Sequence, residues 1–381
     1  MSNENEIRVE IAKFGNEMRY LITEKGIPMQ DPCLWLDVVS INSYLTGERY
    51  AYALLRYLRF LKKNNLDYLE VVSKKVIEEY IKDLLGLGQK IINIETKMTF
   101  TALNTYITVI KSFYNWLEDE QKATMNPVLY SSRRTRQAPF VNTKLLYGQV
   151  WNFTIRENVL SHITYRKKRN HLKWYTEKEI QNIRKELPSL RDEVIFMISV
   201  ETGMRVGEIL GLKKTHFNSF EPSLEVVREE NIENGARAKT KERLLIIDYT
   251  LGRLIQDYMA TERYATDVYG TDYLFINSIG IHKGKPLKPR NFLRVLKDAG
   301  ERSGLQREEI RTHSGRSTRA QQLVELMRQH PETGITPTFI EEEMGWKSER
   351  TLKVYVKGYT MRQKRKILAR VKAVKITKVK D

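Results

Sequence analysis

The chain has 381 residues, is 41% hydrophobic and 29% charged, and carries a formal net charge of +18 with a sequence pI near 9.6, which is the composition of a folded protein that attracts polyanions, nucleic acid first among them. Cys33 is the single cysteine, so an internal disulfide and a thiolate zinc cluster are both excluded. No apolar run approaches the roughly 20 residues of a membrane span, and the polar N-terminus has no secretory core, so a cytoplasmic, nucleoid-associated protein with no membrane partner is expected.

Residues 1–33 read as a short accessory segment, with strand or irregular structure around IRVEIAKF and MRYLI. Helical periodicity begins at 37–44. Thr46 then reads as an N-cap with Glu48 close behind, followed by an apolar face of Tyr50, Leu54, Tyr57, Leu58 and Leu61. The pattern continues over 71–85, and at 99–118 Leu103, Tyr106, Ile107, Ile110, Phe113, Tyr114 and Leu117 recur at spacings of three and four. Asn126-Pro127 ends it, which gives a helical domain over 34–130. The next stretch, 131–173, holds ten Lys or Arg against the single acid Glu157. Solubility alone would accept either sign of charge, so a one-signed linker points to phosphates. Arg133, Arg134, Arg136, Arg166, Lys167, Lys168 and Arg169 are its candidate DNA contacts.

A second domain is expected over 174–360. Thr176 and Glu179 make a capping box. Helices follow at 191–201 and 206–213, then the period changes to two at 223–229 and 243–248, with the turn-rich NIENGARAKTKE between them. A helix at 251–259, a strand YLFIN at 273–277, and helices at 289–299 and 317–329 complete it. The last segment, 361–381, is basic with alternating apolar residues and suits docking on a neighbouring protomer or DNA contact. The fold class is thus multidomain and mainly α, with a helical domain followed by a mixed α/β domain containing a small antiparallel sheet.

Three segments carry the chemistry. TGMRVGEILGLKKTHF places Arg205 just after a Thr-Gly pair and Glu208 three residues later. THSGR sets His313 three residues before Arg316. MGWKSERTLKVY sets Trp346 nine residues before Tyr355. Each is weak alone, but together, in this order, they resemble the tyrosine recombinases of the phage integrase family. ARAKTKERLLII resembles the lysine-bearing β-hairpin turn of that family, with Lys239 as the matching lysine and Lys241 as its rival and a further DNA contact. Departures from the pattern are Ser317 and His216, where other residues are common, and a longer interval from Arg316 to Trp346 containing RQHPETGITPTF. The resemblance also covers the helical region, which is similar to the core-binding DNA-binding domain of these enzymes.

The resemblance implies a clamp of the two domains around duplex DNA and site-specific strand cleavage through a covalent 3'-phosphotyrosine, serving integration, excision or transposition. Tyr355 would be the nucleophile, with Tyr359 one turn on as its rival. Arg205 and Arg316 would hold the phosphate oxygens with donors that stay protonated. Lys239 would act as general acid, His313 would assist proton transfer, the Trp346 indole N–H would donate to phosphate, and Glu208 would orient its neighbours. No metal, nucleotide or other cofactor is required, and no HExxH, GxGxxG or GxxxxGK segment is present. The expected partners are double-stranded DNA carrying recombination sites and three further copies in a homo-tetramer on paired sites, from a chain that is a monomer free in solution. An accessory DNA-bending or directionality protein also fits. A DNA-relaxing topoisomerase using the same residues, or a DNA-binding regulator without catalysis, are the alternative readings.

Overall fold

Alternating apolar residues in IRVEIAKF and EMRYLITE pair as an antiparallel hairpin, β1 (Ile7–Phe14) with β2 (Glu17–Glu24), in register from Ile7 opposite Glu24 to Phe14 opposite Glu17. The computed structural model describes residues 7–14, 17–41, 43–86, 100–135, 152–158, 174–238, 240–348 and 350–377. They fall into two units, Met1–Arg169 and Asn170–Asp381.

In the first unit a two-residue strand, β3 (Ile27–Pro28), extends the hairpin, and four helices follow: α1 (Gln30–Ser40), α2 (Tyr44–Lys63), α3 (Lys74–Leu85) and α4 (Phe100–Asp119). Ile7, Tyr20 and Ile22 of the hairpin are buried with Trp35, Leu54, Tyr57, Phe113 and Tyr114 of the helices. The hairpin is therefore part of the helical core rather than an appendage to it. Two expectations shift here. Helix α1 starts inside the segment read as accessory, because Asp31 and Pro32 occupy its first turn, where a missing N–H costs nothing and an acid is favoured. Thr46 is not the cap of α2. The helix starts at Tyr44 after Ser43, and the Thr46 N–H already donates to the Ser43 carbonyl. Beyond α4, Asn126 donates to the Lys111 carbonyl and the Asn115 side chain and accepts from Val128 N–H, which fixes the exit of the chain. Strands β4 (Leu129–Thr135) and β5 (Asn152–Asn158) then pair antiparallel.

The second unit opens with α5 (Glu177–Glu186), where Thr176 and Glu179 form the expected capping box. Next come α6 (Leu190–Thr202), almost wholly buried, and the four-residue α7 (Val206–Ile209). Strands β6 (Phe217–Asn218) and β7 (Ser223–Val226) precede a short hairpin of β8 (Glu230–Asn231) and β9 (Ala236–Arg237), and β10 (Arg243–Ile246) closes the sheet in the order β10-β7-β6. Helix α8 (Tyr249–Tyr258) runs through a π turn into α9 (Tyr264–Thr266), followed by α10 (Pro289–Arg302), α11 (Ser314–Gln329), α12 (Pro337–Met344) and α13 (Arg350–Thr377).

The expected strand at 273–277 is an extended segment outside the named sheets, with isolated bridges from Lys213 to Tyr273 and from Ile276 to Pro286, and with backbone hydrogen bonds from Leu274 N–H to Leu212 O and from Leu287 N–H to Phe275 O. Arginine side chains take up two of its carbonyls. Arg263 donates to Tyr273 O and Arg191 to Ile276 O. The main core gathers α6, α7, the sheet, α8 and α10 around Phe196, Ile198, Leu245, Ile255, Phe275 and Phe292. A second, smaller core joins α11, α12 and α13 through Leu323, Ile340, Met344, Trp346, Leu352 and Tyr355. No helix among the described residues is long and apolar enough to cross a membrane.

Candidate active site

The end of α6 sets the first arginine. Gly203 terminates the helix in a left-handed conformation (φ 69°), and two residues later Arg205 stands as the N-terminal cap of α7. Glu208, buried one turn into α7, accepts from the Arg205 backbone N–H (3.1 Å) and from Arg205 Nη1 (3.2 Å). The carboxylate thereby closes the start of the helix and pairs with the guanidinium.

The same carboxylate reaches the sheet. Thr240 Oγ1 donates to Glu208 Oε1 at 2.8 Å, and Arg243 Nη2 donates to Glu208 Oε2 at 3.2 Å. Arg243 also donates through Nη1 to Thr240 Oγ1 (2.8 Å) and through Nε to the Glu343 carbonyl at the end of α12 (2.9 Å). Neither Thr240 nor Arg243 was singled out from sequence. The available signal was parity: Arg243 shares a strand face with the buried Leu245, so an arginine there points inward, where an unpaired charge would be costly. The segment lies against α7 because Gly207 has no side chain. A Cβ there would stand 2.8 Å from the Arg237 carbonyl oxygen.

Arg316, on the first turn of α11, is buried. Its Nη1 donates to Gly203 O at 2.7 Å and its Nη2 to Met344 O. The guanidinium carbon lies 5.8 Å from the centre of the Trp346 ring, and Trp346 stacks on Tyr355 at 5.4 Å with an interplanar angle of 15°. Arg316, Trp346 and the expected nucleophile Tyr355 are thus contiguous. Tyr359, the rival, is partly buried one turn further along, against the same small core.

The charge balance is uneven. Glu208 is the one buried carboxylate in this group of residues, and three guanidinium groups, Arg205, Arg243 and Arg316, act on or contact it. Burial pushes the Glu208 carboxyl up, but Arg243, the Arg205 N–H, Thr240 and Arg316 together outweigh that and leave its pKa below the ordinary value. Burial, and then the positive charge of Arg205, pull the Arg316 guanidinium down to about 9, against the helping field of Glu208. A guanidinium keeps its proton at neutral pH. Burial is the largest cause of the shift, and the neighbouring positive charge of Arg205 adds to it; a phosphate would offset both.

Of the other expected residues, His313 is exposed at the N-terminal cap position of α11, where its carbonyl accepts from Ser317 N–H. Lys241 is exposed, and its carbonyl accepts from Arg243. Lys239 lies outside the described residues; its neighbours Ala238 and Thr240 are buried. Arg133 and Arg134 are on β4, opposite Thr154 and Phe153. Arg136, Arg166, Lys167, Lys168 and Arg169 lie outside the described residues. No group of three or more His, Cys, Asp or Glu among the described residues could hold a metal ion.

Comparison with known proteins adds three findings. The model of the phage integrase family matches residues 173–362, which contain every element of the site. Transposase A of transposon Tn554 from Staphylococcus aureus is 25% identical over 351 residues, covering 88% of this chain and 90% of the relative, and the tyrosine recombinase XerA of Pyrococcus furiosus is 29% identical over 184 residues, 48% of this chain and 56% of its own. Among solved structures, the XerH site-specific recombinase bound to a palindromic difH substrate in a post-cleavage complex shares the fold with a TM-score of 0.57 at 16% identity, covering 85% of this chain and 80% of that one.

Proposed function

This chain belongs to the phage integrase family of tyrosine recombinases, and we propose that it acts as the transposase of a mobile element, cutting and rejoining double-stranded DNA at specific sites through Tyr355. The observation that carries the reading is the buried surplus of guanidinium groups joined through Trp346 to Tyr355. The Tyr355 oxygen attacks the scissile phosphorus and forms a 3'-phosphotyrosine. The bond to the 5' oxygen breaks, and that oxygen takes a proton from Lys239 while His313 receives the phenolic proton. Arg205 and Arg316 meet the two non-bridging oxygens, whose charge is greatest in the pentacoordinate transition state. Attack by a second strand's 5' hydroxyl reverses the step, so the bond energy is conserved without ATP. The length shared with the Tn554 transposase favours the transposition role. Four protomers on paired sites, exchanging strands through a Holliday junction, are the assembly this chemistry needs.

The test is a nicked suicide duplex drawn from the ends of the element that encodes the chain, incubated without metal or ATP. Wild type and Tyr359→Phe are expected to give a covalent protein–DNA adduct, and Tyr355→Phe none. An adduct lost only in Tyr359→Phe would move the nucleophile one helical turn. No adduct from folded protein on DNA that it binds would leave a DNA-binding regulator.

A further inference from the structure

Arg243 opens β10 with its side chain only 8% exposed, so its charge is turned into the protein. Its guanidinium joins three elements. Nη2 donates to Glu208 Oε2 of α7 at 3.2 Å, Nη1 to Thr240 Oγ1 at 2.8 Å and to the Lys241 carbonyl at 3.3 Å, and Nε to the Glu343 carbonyl of α12 at 2.9 Å. Gly345, in a left-handed conformation (φ 59°) just past α12, makes room for this fork. A Cβ there would stand 2.9 Å from Arg243 Nη1 and 3.0 Å from Thr240 Cβ.

The ends of this contact lead to different parts of the chemistry. Thr240 and Lys241 belong to the segment between β9 and β10, whose sequence carries both candidate general acids, Lys239 and Lys241. At the other end, the Glu343 carbonyl that Arg243 takes is followed directly by the Met344 carbonyl that Arg316 takes. One planar fork therefore ties the lysine-bearing segment to the peptide on which the phosphate-binding arginine is set. A lysine at 243 would supply the charge without donors in three fixed directions.

We propose that Arg243 is a positioning residue for leaving-group protonation. It holds the lysine-bearing segment in register with Arg316, so that the ammonium proton passes to the 5' oxygen as the phosphorus bond to that oxygen breaks and the bond to Tyr355 forms. The inference rests on the function proposed above and adds a residue that acts through its neighbours. A placed general acid contributes about 10²- to 10⁴-fold in rate, and displacement of reacting groups by about 1 Å costs on the order of a hundredfold.

Single-turnover cleavage and Kd are measured on two nicked duplexes that differ only in having oxygen or sulfur at the 5' bridging position of the scissile phosphate. A thiolate is a much weaker base than an alkoxide and departs without a proton. Arg243→Met keeps the stem without the fork. It is expected to slow adduct formation about 100-fold on the oxygen duplex, to come within about threefold of wild type on the sulfur duplex, and to keep Kd within about twofold. Arg243→Lys follows the same pattern with a smaller loss. A rate within twofold of wild type on the oxygen duplex, a loss confined to Kd, or an equal loss on both duplexes overturns the proposal alone; the last would mean that Arg243 supports the phosphate-binding arginines or the fold and not the general acid. Should Arg243→Met not fold, Thr240→Val, which keeps the side chain's shape and removes the Oγ1 between Arg243 and Glu208, is judged by the same outcomes. A wild-type protein that binds both duplexes and forms no adduct with either removes the strand-transfer reading and the proposal with it.

Discussion

At the scale of single residues the site is organised around a carboxylate rather than a base. Glu208 is enclosed by Arg205, Arg243 and Thr240, and its pKa lies below the unfolded value. A carboxyl lowered on folding contributes stability that is present above its unfolded pKa and lost as pH falls through its folded pKa. Glu208→Gln leaves the buried Arg243 guanidinium and the partly buried Arg205 without their counter-charge. Removing one partner of a buried pair costs about 3 kcal/mol or more, roughly 6 °C or more in Tm for a unit of this size. The deficit should be full at pH 7 and narrow as pH falls below the ordinary carboxylate range, as calorimetry at several pH values would show. An equal deficit at all pH values would mean that packing, not charge, holds Glu208. Arg316→Lys is a sharper probe. A lysine can follow one carbonyl but lacks the planar fork that reaches Gly203 and Met344 together. Cleavage is expected to fall about 100- to 1000-fold, with DNA affinity little changed. A rate near wild type in Arg316→Lys would show that charge alone is enough.

At the scale of elements, close approach places the site as much as attraction does. Gly207 lets the strand that ends at Arg237 lie against α7, which brings Thr240 and Arg243 to Glu208. Gly207→Ala is therefore expected to slow cleavage about tenfold or more at a modest cost in stability, because the obstruction is a backbone carbonyl that cannot rotate away. Thr176→Ala makes the contrast. It removes a capping box at α5 and should cost about 1 kcal/mol with no change in cleavage rate. Equal effects of the two on cleavage would discard the positional argument. These elements differ in how far the sequence showed them. The capping box, α4 and the Arg205, Arg316, Trp346 and Tyr355 landmarks were legible because each is a local pattern or a fixed spacing. Thr240 and Arg243 were not, since a three-residue interval in a turn says nothing of which carboxylate lies across it. The segment at 273–277 has a strand's composition, but two of its carbonyls go to the side chains of Arg263 and Arg191, partners that no period of two reveals. Helix α1 was masked by a competing pattern, the strand alternation just before it, although Pro32 marked its first turn.

At the scale of the whole molecule the dominant fact is the net charge of +18, and its distribution along the chain is what gives it a function. The stretch 131–173 carries ten cations and one acid, whereas under the proposed function the buried cations of the site would serve a single phosphate. The two sets should separate in a salt titration. Each phosphate neutralised by a protein cation releases about 0.9 counterion from duplex DNA, so log K falls with log salt by about 0.9 per contact. Replacing Arg166, Lys167, Lys168 and Arg169 together by Gln is expected to weaken binding at low salt on every DNA sequence and to make the slope shallower by about 3 to 4. Arg316→Lys, which keeps its charge, should leave the slope unchanged while cleavage is lost. A quadruple variant with an unaltered slope would assign those cations to solubility. The positive charge that steers this chain to DNA would then have to be sought on its helices.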